Sequence, residues 1–108
     1  MSKDITVLYK KPFEEAKVIT IKDDYKELQR LVDGWIEIVD FPDLEGVQIV
    51  CNEEGKLEGL DPNFYIYGGL DLIVGSAVII GTDGYGESIS LTPEQIKDAQ
   101  EYIEDNLY

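Results

Sequence analysis

One stretch, residues 28–60, constrains the fold of this chain more than any other. Its sequence is LQRLVDGWIEIVDFPDLEGVQIVCNEEGKLEGL. Gly34 predicts the end of a helix, because glycine adopts without steric cost the left-handed conformation that closes helices. The β-branched segment from Trp35 onward is typical of a strand, and Glu53-Glu54-Gly55 predicts the tight turn of a hairpin. A helix, a strand and a hairpin are therefore expected in succession.

The segments on either side of this stretch predict further strands. Residues 5–9 and 17–21 are short, alternating and β-branched, which is typical of strands. Residues 76–80 are apolar at nearly every position, which indicates a central strand buried on both faces. Residues 61–69 contain breakers at both ends and are expected to be irregular or to lie at a sheet edge.

Two helices have recognisable N-termini. Asp24 is positioned to cap the first helix, and Thr92 is followed by Pro93 and Gln95, the pattern of a capping box. The order of elements predicts a single α+β domain over residues 1–108. We expect a mostly antiparallel sheet with both helices packed on one face.

The charge of the chain is its most unusual bulk property. It has 9 basic and 23 acidic residues, a net charge of -14. Residues 1–30 hold seven bases and six acids, whereas residues 31–108 hold two bases and 17 acids. Such a chain attracts basic partners and repels nucleic acid and anionic membranes. An excess of acid also keeps a protein soluble, and the sequence leaves both interpretations open.

The carboxylates of the central stretch are the candidate contacts with a basic partner protein. They are Glu37, Asp40, Asp43, Glu45, Glu53, Glu54 and Glu58.

Composition excludes several kinds of site. The chain has no histidine and one cysteine, Cys51, whereas structural zinc requires about four thiolate or imidazole ligands. We expect Cys51 to be a buried apolar side chain, and a lone cysteine agrees with a reducing cytoplasm. The glycine-rich residues 81–86 lack the Gly-Lys-Ser/Thr of a phosphate-binding loop. We assign no catalytic residue, metal or cofactor, although counting alone does not exclude a carboxylate pair.

Aromatic side chains beside glycine-containing segments suggest an alternative. They could contact a small ligand such as a nucleotide, or cap the edge of the sheet. The candidate ligand-binding residues are Phe64, Tyr65, Tyr67 and Tyr85, with Lys10 and Arg30 for phosphate. Trp35, Val39 and Phe41 are a candidate patch for homo-oligomer formation or for the seat of a helix.

The segments LQRLVDGWIEIV, CNEEGKLEGLDPN, DLIVGSAVIIG and LTPEQI, in this order, resemble the family of domain of unknown function 3846 over about residues 5–103. Members of that family often carry an arginine soon after the asparagine that corresponds to Asn63. In this chain Phe64 and Tyr65 follow Asn63 instead. The resemblance implies a setting in phages, plasmids and other mobile elements of bacteria, and it supplies no activity that could be assigned to particular residues.

Small acidic proteins of such elements often inhibit host defence by mimicking DNA, which presents one charge per about 1.7 Å of axis. Charge and resemblance together predict a non-enzymatic protein in the cytoplasm of a bacterial host. It would bind and inhibit a basic protein that handles nucleic acid, without contacting nucleic acid or membrane itself.

Overall fold

Six antiparallel strands form the main sheet in a computed structural model that describes residues 3–108. Its strands are β1 (Asp4–Lys10), β2 (Lys17–Lys22), β3 (Ile36–Asp40), β4 (Val47–Asn52), β7 (Ala77–Thr82) and β8 (Ser88–Ile89). They lie in the order β2-β1-β7-β4-β3, and β8 pairs with β7. A separate antiparallel hairpin consists of β5 (Pro62–Ile66) and β6 (Asp71–Val74), joined by a 3-10 turn at Tyr67–Gly69. The helices are α1 (Tyr25–Val32), α2 (Gly55–Glu58) and α3 (Pro93–Asp105).

The expected α+β class and the mostly antiparallel sheet are confirmed, but the expected placement of the helices is wrong. On the central strand, Val78 and Ile80 pack beneath α1, whereas Ile79 packs into the cluster that contains Ala99 and Ile103 of α3. The two helices therefore cover opposite faces of the sheet. The physical reason is that β4 and β7 are apolar at successive positions, so both faces of the sheet expel water and each requires a cover.

The helix ends follow local signals, with one shift. Asp24 accepts a hydrogen bond from the Lys26 N–H at 2.8 Å, and Thr92 and Gln95 form the complete capping box. The left-handed residue that closes α1 is Asp33, with φ of 62°, rather than Gly34. Gly34 is required for a different reason, since a Cβ atom there would lie 2.7 Å from the Asn52 amide nitrogen.

The predicted hairpin at Glu53-Glu54-Gly55 does not form. The chain turns out of the sheet into the single turn of α2 because the buried Asn52 side chain redirects it. The Asn52 amide donates to the Val32 carbonyl at 3.1 Å and accepts from the Glu54 N–H at 2.8 Å.

The hairpin of this region lies further along the chain, in the segment expected to be irregular or at an edge. Strands β5 and β6 pack on the α3 face and contribute the buried side chains of Phe64, Ile66 and Ile73 to its core. Among residues 3–108, no helix has the length and apolar character needed to cross a membrane.

Candidate functional site

A cavity of about 220 Å³ lies where the end of β1, the loop between β1 and β2, strand β5 and the C-terminal residues meet. We call it the Lys10 cavity. Its lining residues are Lys10, Phe13, Glu14, Glu15, Asn63, Glu104, Leu107 and Tyr108.

Two buried polar side chains form the floor of the Lys10 cavity. Lys10 and Asn63 are each only 2 % exposed. The Lys10 ammonium donates to the Asn63 side-chain oxygen at 2.9 Å and to the Lys11 carbonyl at 2.7 Å. The Asn63 amide in turn donates to the Lys10 carbonyl at 2.9 Å and to the Gly75 carbonyl at 2.8 Å. This reciprocal pair ties β5 to β1 and to the segment preceding β7.

The charge of the cavity lining is mixed, with a negative excess. Burial lowers the pKa of Lys10, and the nearby carboxylates of Glu104 and Glu14 oppose that effect. The lining contains one ammonium group against the three carboxylates of Glu14, Glu15 and Glu104. A cationic group entering the cavity is therefore attracted more strongly than an anionic one.

Aromatic rings stand at the rim of the Lys10 cavity. Phe13 and Tyr108 are largely exposed, and the Tyr108 ring lies 6.2 Å from the Tyr65 ring between centroids. Phe13 has φ of 64°, a left-handed conformation that is uncommon for a bulky residue. The bend between β1 and β2 thus turns an apolar ring toward solvent beside two carboxylates.

The negative excess extends from the cavity along α3. Glu101 and Asp105 line a shallow depression together with one base, Lys97, and this depression shares Glu104 with the cavity. A further depression shares both Glu15 and Glu104 with the cavity. We call these carboxylates the α3 carboxylate surface, which consists of Glu14, Glu15, Glu101, Glu104 and Asp105. Within residues 3–108, none of them takes part in the salt bridges of the structure.

Sequence reasoning missed the α3 carboxylate surface. One signal was available, since Glu101, Glu104 and Asp105 are separated by three and four positions and therefore lie on one helix face. Their meeting with Glu14 and Glu15, some ninety positions earlier, depends on the tertiary structure.

The carboxylates predicted as a partner-binding patch do not form one surface. Asp43 and Glu45 lie in the loop that precedes β4, whereas Glu53, Glu54 and Glu58 follow its other end. A strand of six residues separates these ends by about 17 Å. Glu37 and Asp40 are three positions apart on β3, so they project from opposite faces of the strand.

The residues proposed as an alternative ligand site are also dispersed. Of the six, Lys10 lines the Lys10 cavity, and the Tyr65 ring lies near that of Tyr108 at its rim. Phe64 is fully buried, and Tyr67 donates its hydroxyl to the Asp40 carbonyl at 2.9 Å. Tyr85 is almost fully exposed in the loop between β7 and β8, and Arg30 pairs with Glu27 on α1.

Of the residues predicted as an oligomer patch or the seat of a helix, Phe41 and Val39 pack on the face of the sheet that α3 covers, as the second alternative expected. Phe41 is buried and contacts the Tyr102 ring edge-on at 5.2 Å, and Val39 is half-buried against the same core. Trp35 remains exposed.

A second cavity, of about 120 Å³, lies beside α2 and β6. It contains the ion pair of Lys56 and Asp71, with a nitrogen–oxygen distance of 2.5 Å. Its wall includes Cys51, which is buried as expected. Burial, together with the carboxylates of Glu37 and Asp71, raises the pKa of the Cys51 thiol to about 11. The thiol is therefore protonated at neutral pH and is a poor nucleophile.

No group of three or more Cys, Asp or Glu side chains in the described part of the chain is arranged to hold a metal ion.

The sequence profile of the family named Domain of unknown function (DUF3846) matches residues 5–104. The chain belongs to this family. The match confirms the resemblance and extends from β1 into the last turn of α3, so it includes the floor of the Lys10 cavity and most of the α3 carboxylate surface. Comparisons with curated proteins and with solved structures found no match.

Proposed function

We propose that this member of the family is a non-enzymatic binding protein that holds a cationic partner protein against its α3 carboxylate surface. One observation carries the proposal: three carboxylates and two exposed aromatic rings line the Lys10 cavity together.

An arginine side chain of the partner suits this opening. Its planar guanidinium pairs with carboxylates through two parallel hydrogen bonds and stacks on aromatic faces. Glu14 and Glu104 would supply the carboxylates, and Phe13 or Tyr108 the ring. The Lys10 ammonium already donates two hydrogen bonds to protein oxygens, so it is held at the floor rather than at the opening.

We further propose that the partner is a host protein that handles nucleic acid, and that binding inhibits it in a counter-defence role. Proteins of this class expose arginine and lysine where phosphates dock. The net charge of -14 supports the proposal, because a strongly negative surface competes for the same basic groups. The phage and mobile-element setting implied by the family resemblance points to the same class of partner.

The decisive experiment uses a partner captured from bacterial lysate, identified and then purified. Binding is titrated calorimetrically with the unaltered chain, with the triple variant Glu101→Gln, Glu104→Gln, Asp105→Asn, and with a charge-matched control, Asp43→Asn, Glu45→Gln, Glu54→Gln. We expect the first triple variant to lose roughly tenfold or more in affinity, and its binding to weaken less with added salt.

The control triple variant should stay within about threefold of the unaltered chain, because its carboxylates lie elsewhere. Equal losses in both variants would show that only overall charge matters. Binding that does not depend on salt would contradict the electrostatic proposal altogether.

A small-ligand role has weaker support. The cavity offers a phosphate group one buried ammonium, but three carboxylates surround it. We therefore expect no thermal stabilisation by nucleotides, whereas a ligand at a hundred times its dissociation constant adds about 2.7 kcal/mol of stability.

A further inference from the structure

We infer that β3 is a docking edge, which takes up an extended basic segment of a partner protein as an additional strand of the main sheet. This surface is separate from the α3 carboxylate surface. It shares with the proposed function only the cationic character of the partner.

Two hydrogen bonds fix which backbone groups of β3 face outward. The Trp35 carbonyl accepts from the Glu53 N–H at 2.8 Å, and the Phe41 N–H donates to the Val47 carbonyl at 3.0 Å. In an antiparallel pair the residues alternate between bonding the neighbouring strand and facing away from it. The odd-numbered residues from 35 to 41 therefore bond β4, and the backbone groups of Ile36, Ile38 and Asp40 point away from it.

These outward groups lie at the free edge of the sheet, because β3 is the terminal strand. The Asp40 carbonyl is covered, since it accepts the Tyr67 hydroxyl. Within residues 3–108, the N–H and C=O groups of Ile36 and Ile38 have no further hydrogen-bond partner in the chain. Ile36 and Ile38 thus present two N–H and two C=O groups along one edge, in the geometry that an added strand requires.

The side chains along this edge favour contact rather than protection. Trp35 is 60 % exposed and Ile38 is 55 % exposed. Proteins protect sheet edges with charged side chains, above all lysine, and with proline or bulges. Of these, β3 has only the carboxylates of Glu37 and Asp40, which repel an acidic strand and attract a basic one. Strand β3, of sequence IEIVD, contains neither lysine nor proline and pairs with β4 in unbroken register.

Charge identifies the occupant. Asp40 lies on the same face of the strand as Ile38, and Glu37 lies on the opposite face beside Val39, so each face presents one carboxylate next to an apolar side chain. Opposite charges across neighbouring strands stabilise their pairing. A segment that alternates lysine or arginine with apolar residues fits this edge, because its basic side chains on one face meet one of these carboxylates and its apolar side chains lie on the other face beside Ile38 or Val39.

A second copy of the chain is the less suitable occupant. Each copy carries a net charge of -14, so two copies repel. The opposite edge, β2, carries Lys17 and Lys22 and no acid. Because β2 is basic, it could pair with β3 of another copy, and the experiments must therefore exclude self-association through these two edges.

The single tryptophan of the chain reports on the edge directly. The probe is a short peptide that alternates lysine and valine, titrated against Trp35 fluorescence, with a glutamate–valine peptide as the charge-reversed control. We expect the lysine–valine peptide to change the emission and saturate, and the glutamate–valine peptide to leave it unchanged.

Proline substitution separates edge pairing from simple charge attraction. Ile38→Pro removes an N–H that faces away from β4, so the bonds between β3 and β4 remain. Thr20→Pro is the matched control on the opposite edge strand, β2. The hydrogen bond from the Asp23 N–H to the Lys3 carbonyl shows that odd-numbered residues of β2 bond β1, so the N–H of Thr20 points away from β1. We expect Ile38→Pro to weaken peptide binding at least tenfold and Thr20→Pro to leave it within twofold.

A further probe does not depend on the folding of a variant. A lysine–valine peptide methylated on every backbone nitrogen has no donor edge for the Ile36 and Ile38 carbonyls, and should lose binding to the unaltered chain. Unchanged binding of the methylated peptide, or equal binding by Ile38→Pro, would overturn the inference. Self-association that both proline variants abolish would assign the edge to a second copy and would also overturn it.

The test also separates this inference from the proposed function. The Glu101→Gln, Glu104→Gln, Asp105→Asn variant should bind the lysine–valine peptide normally, because its substitutions leave β3 unchanged. If this triple variant lost peptide binding and the Ile38→Pro variant kept it, the peptide would be assigned to the α3 carboxylate surface instead.

Discussion

The two faces of the main sheet are covered in different ways. Within residues 3–108, one face is covered by α1, and its buried core consists of isoleucine, leucine and valine side chains. The other is covered by α3 and the β5–β6 hairpin, and its core also contains two phenylalanines and Cys51. Both cavities described above open on this second face.

The difference teaches how this small domain makes room for a site. A single helix fits a smooth aliphatic surface closely, because its side chains and those of the sheet interdigitate. A cover assembled from separate segments leaves spaces at their junctions. On the α3 face those junctions hold the Lys10–Asn63 pair and the ion pair of Lys56 and Asp71.

The largest effect should come from removing an aromatic side chain on the α3 face. Phe64 is fully buried, so Phe64→Ala should lower the free energy of unfolding by about 3–5 kcal/mol. The counterpart on the α1 face, Leu31→Ala, should cost about 2–3 kcal/mol, since Leu31 retains slight exposure. Urea denaturation measures both. A larger cost at Leu31 would show that α1, rather than the composite cover, dominates stability.

The thiol on the α3 face provides the next test. The pKa of Cys51 is raised from 9.0 to about 11, so at pH 8 the folded chain holds about a hundredfold less thiolate than the unfolded chain. Alkylation should be slower by at least that factor, and its rate should rise with pH until about 11. Mass spectrometry after timed labelling, with and without urea, measures this. Similar rates in the two states would mean that the α3 face opens readily.

Two buried asparagines give the closest comparison between the faces. Asn63 holds Lys10 on the α3 face, whereas Asn52 holds the end of α1 through the carbonyls of Val32 and Asp33. Each alanine substitution should lower the free energy of unfolding by about 1–3 kcal/mol. Asn63→Ala should cost more, because it also leaves a buried ammonium without one of its acceptors.

Thermal melts of the two asparagine variants are compared with the double variant Lys10→Met, Asn63→Ala. Replacing both partners by apolar groups should restore part of the stability lost in Asn63→Ala. If the double variant is less stable than the single one, the ammonium stabilises the fold by contacts other than Asn63.

Several features were readable from the sequence because they depend on neighbouring residues. The capping box of Thr92 and Gln95, the strands at residues 5–9 and 17–21 and the α+β class needed only propensity, periodicity and turn chemistry. The excess of carboxylates was equally plain. Their position was not, because charge counts carry no spatial information.

The tertiary structure alone decided the rest. A helix with one apolar face fits either side of a sheet that is apolar on both, so the sequence did not assign α1 and α3 to opposite faces. The turn after β4 depended on Asn52 reaching the end of α1, twenty positions earlier. The Lys10 cavity likewise joins residues from the two ends of the chain and from β5. Local signals determined the elements, and long-range packing determined which surfaces face one another, because burial of both sheet faces is satisfied only by the whole chain at once.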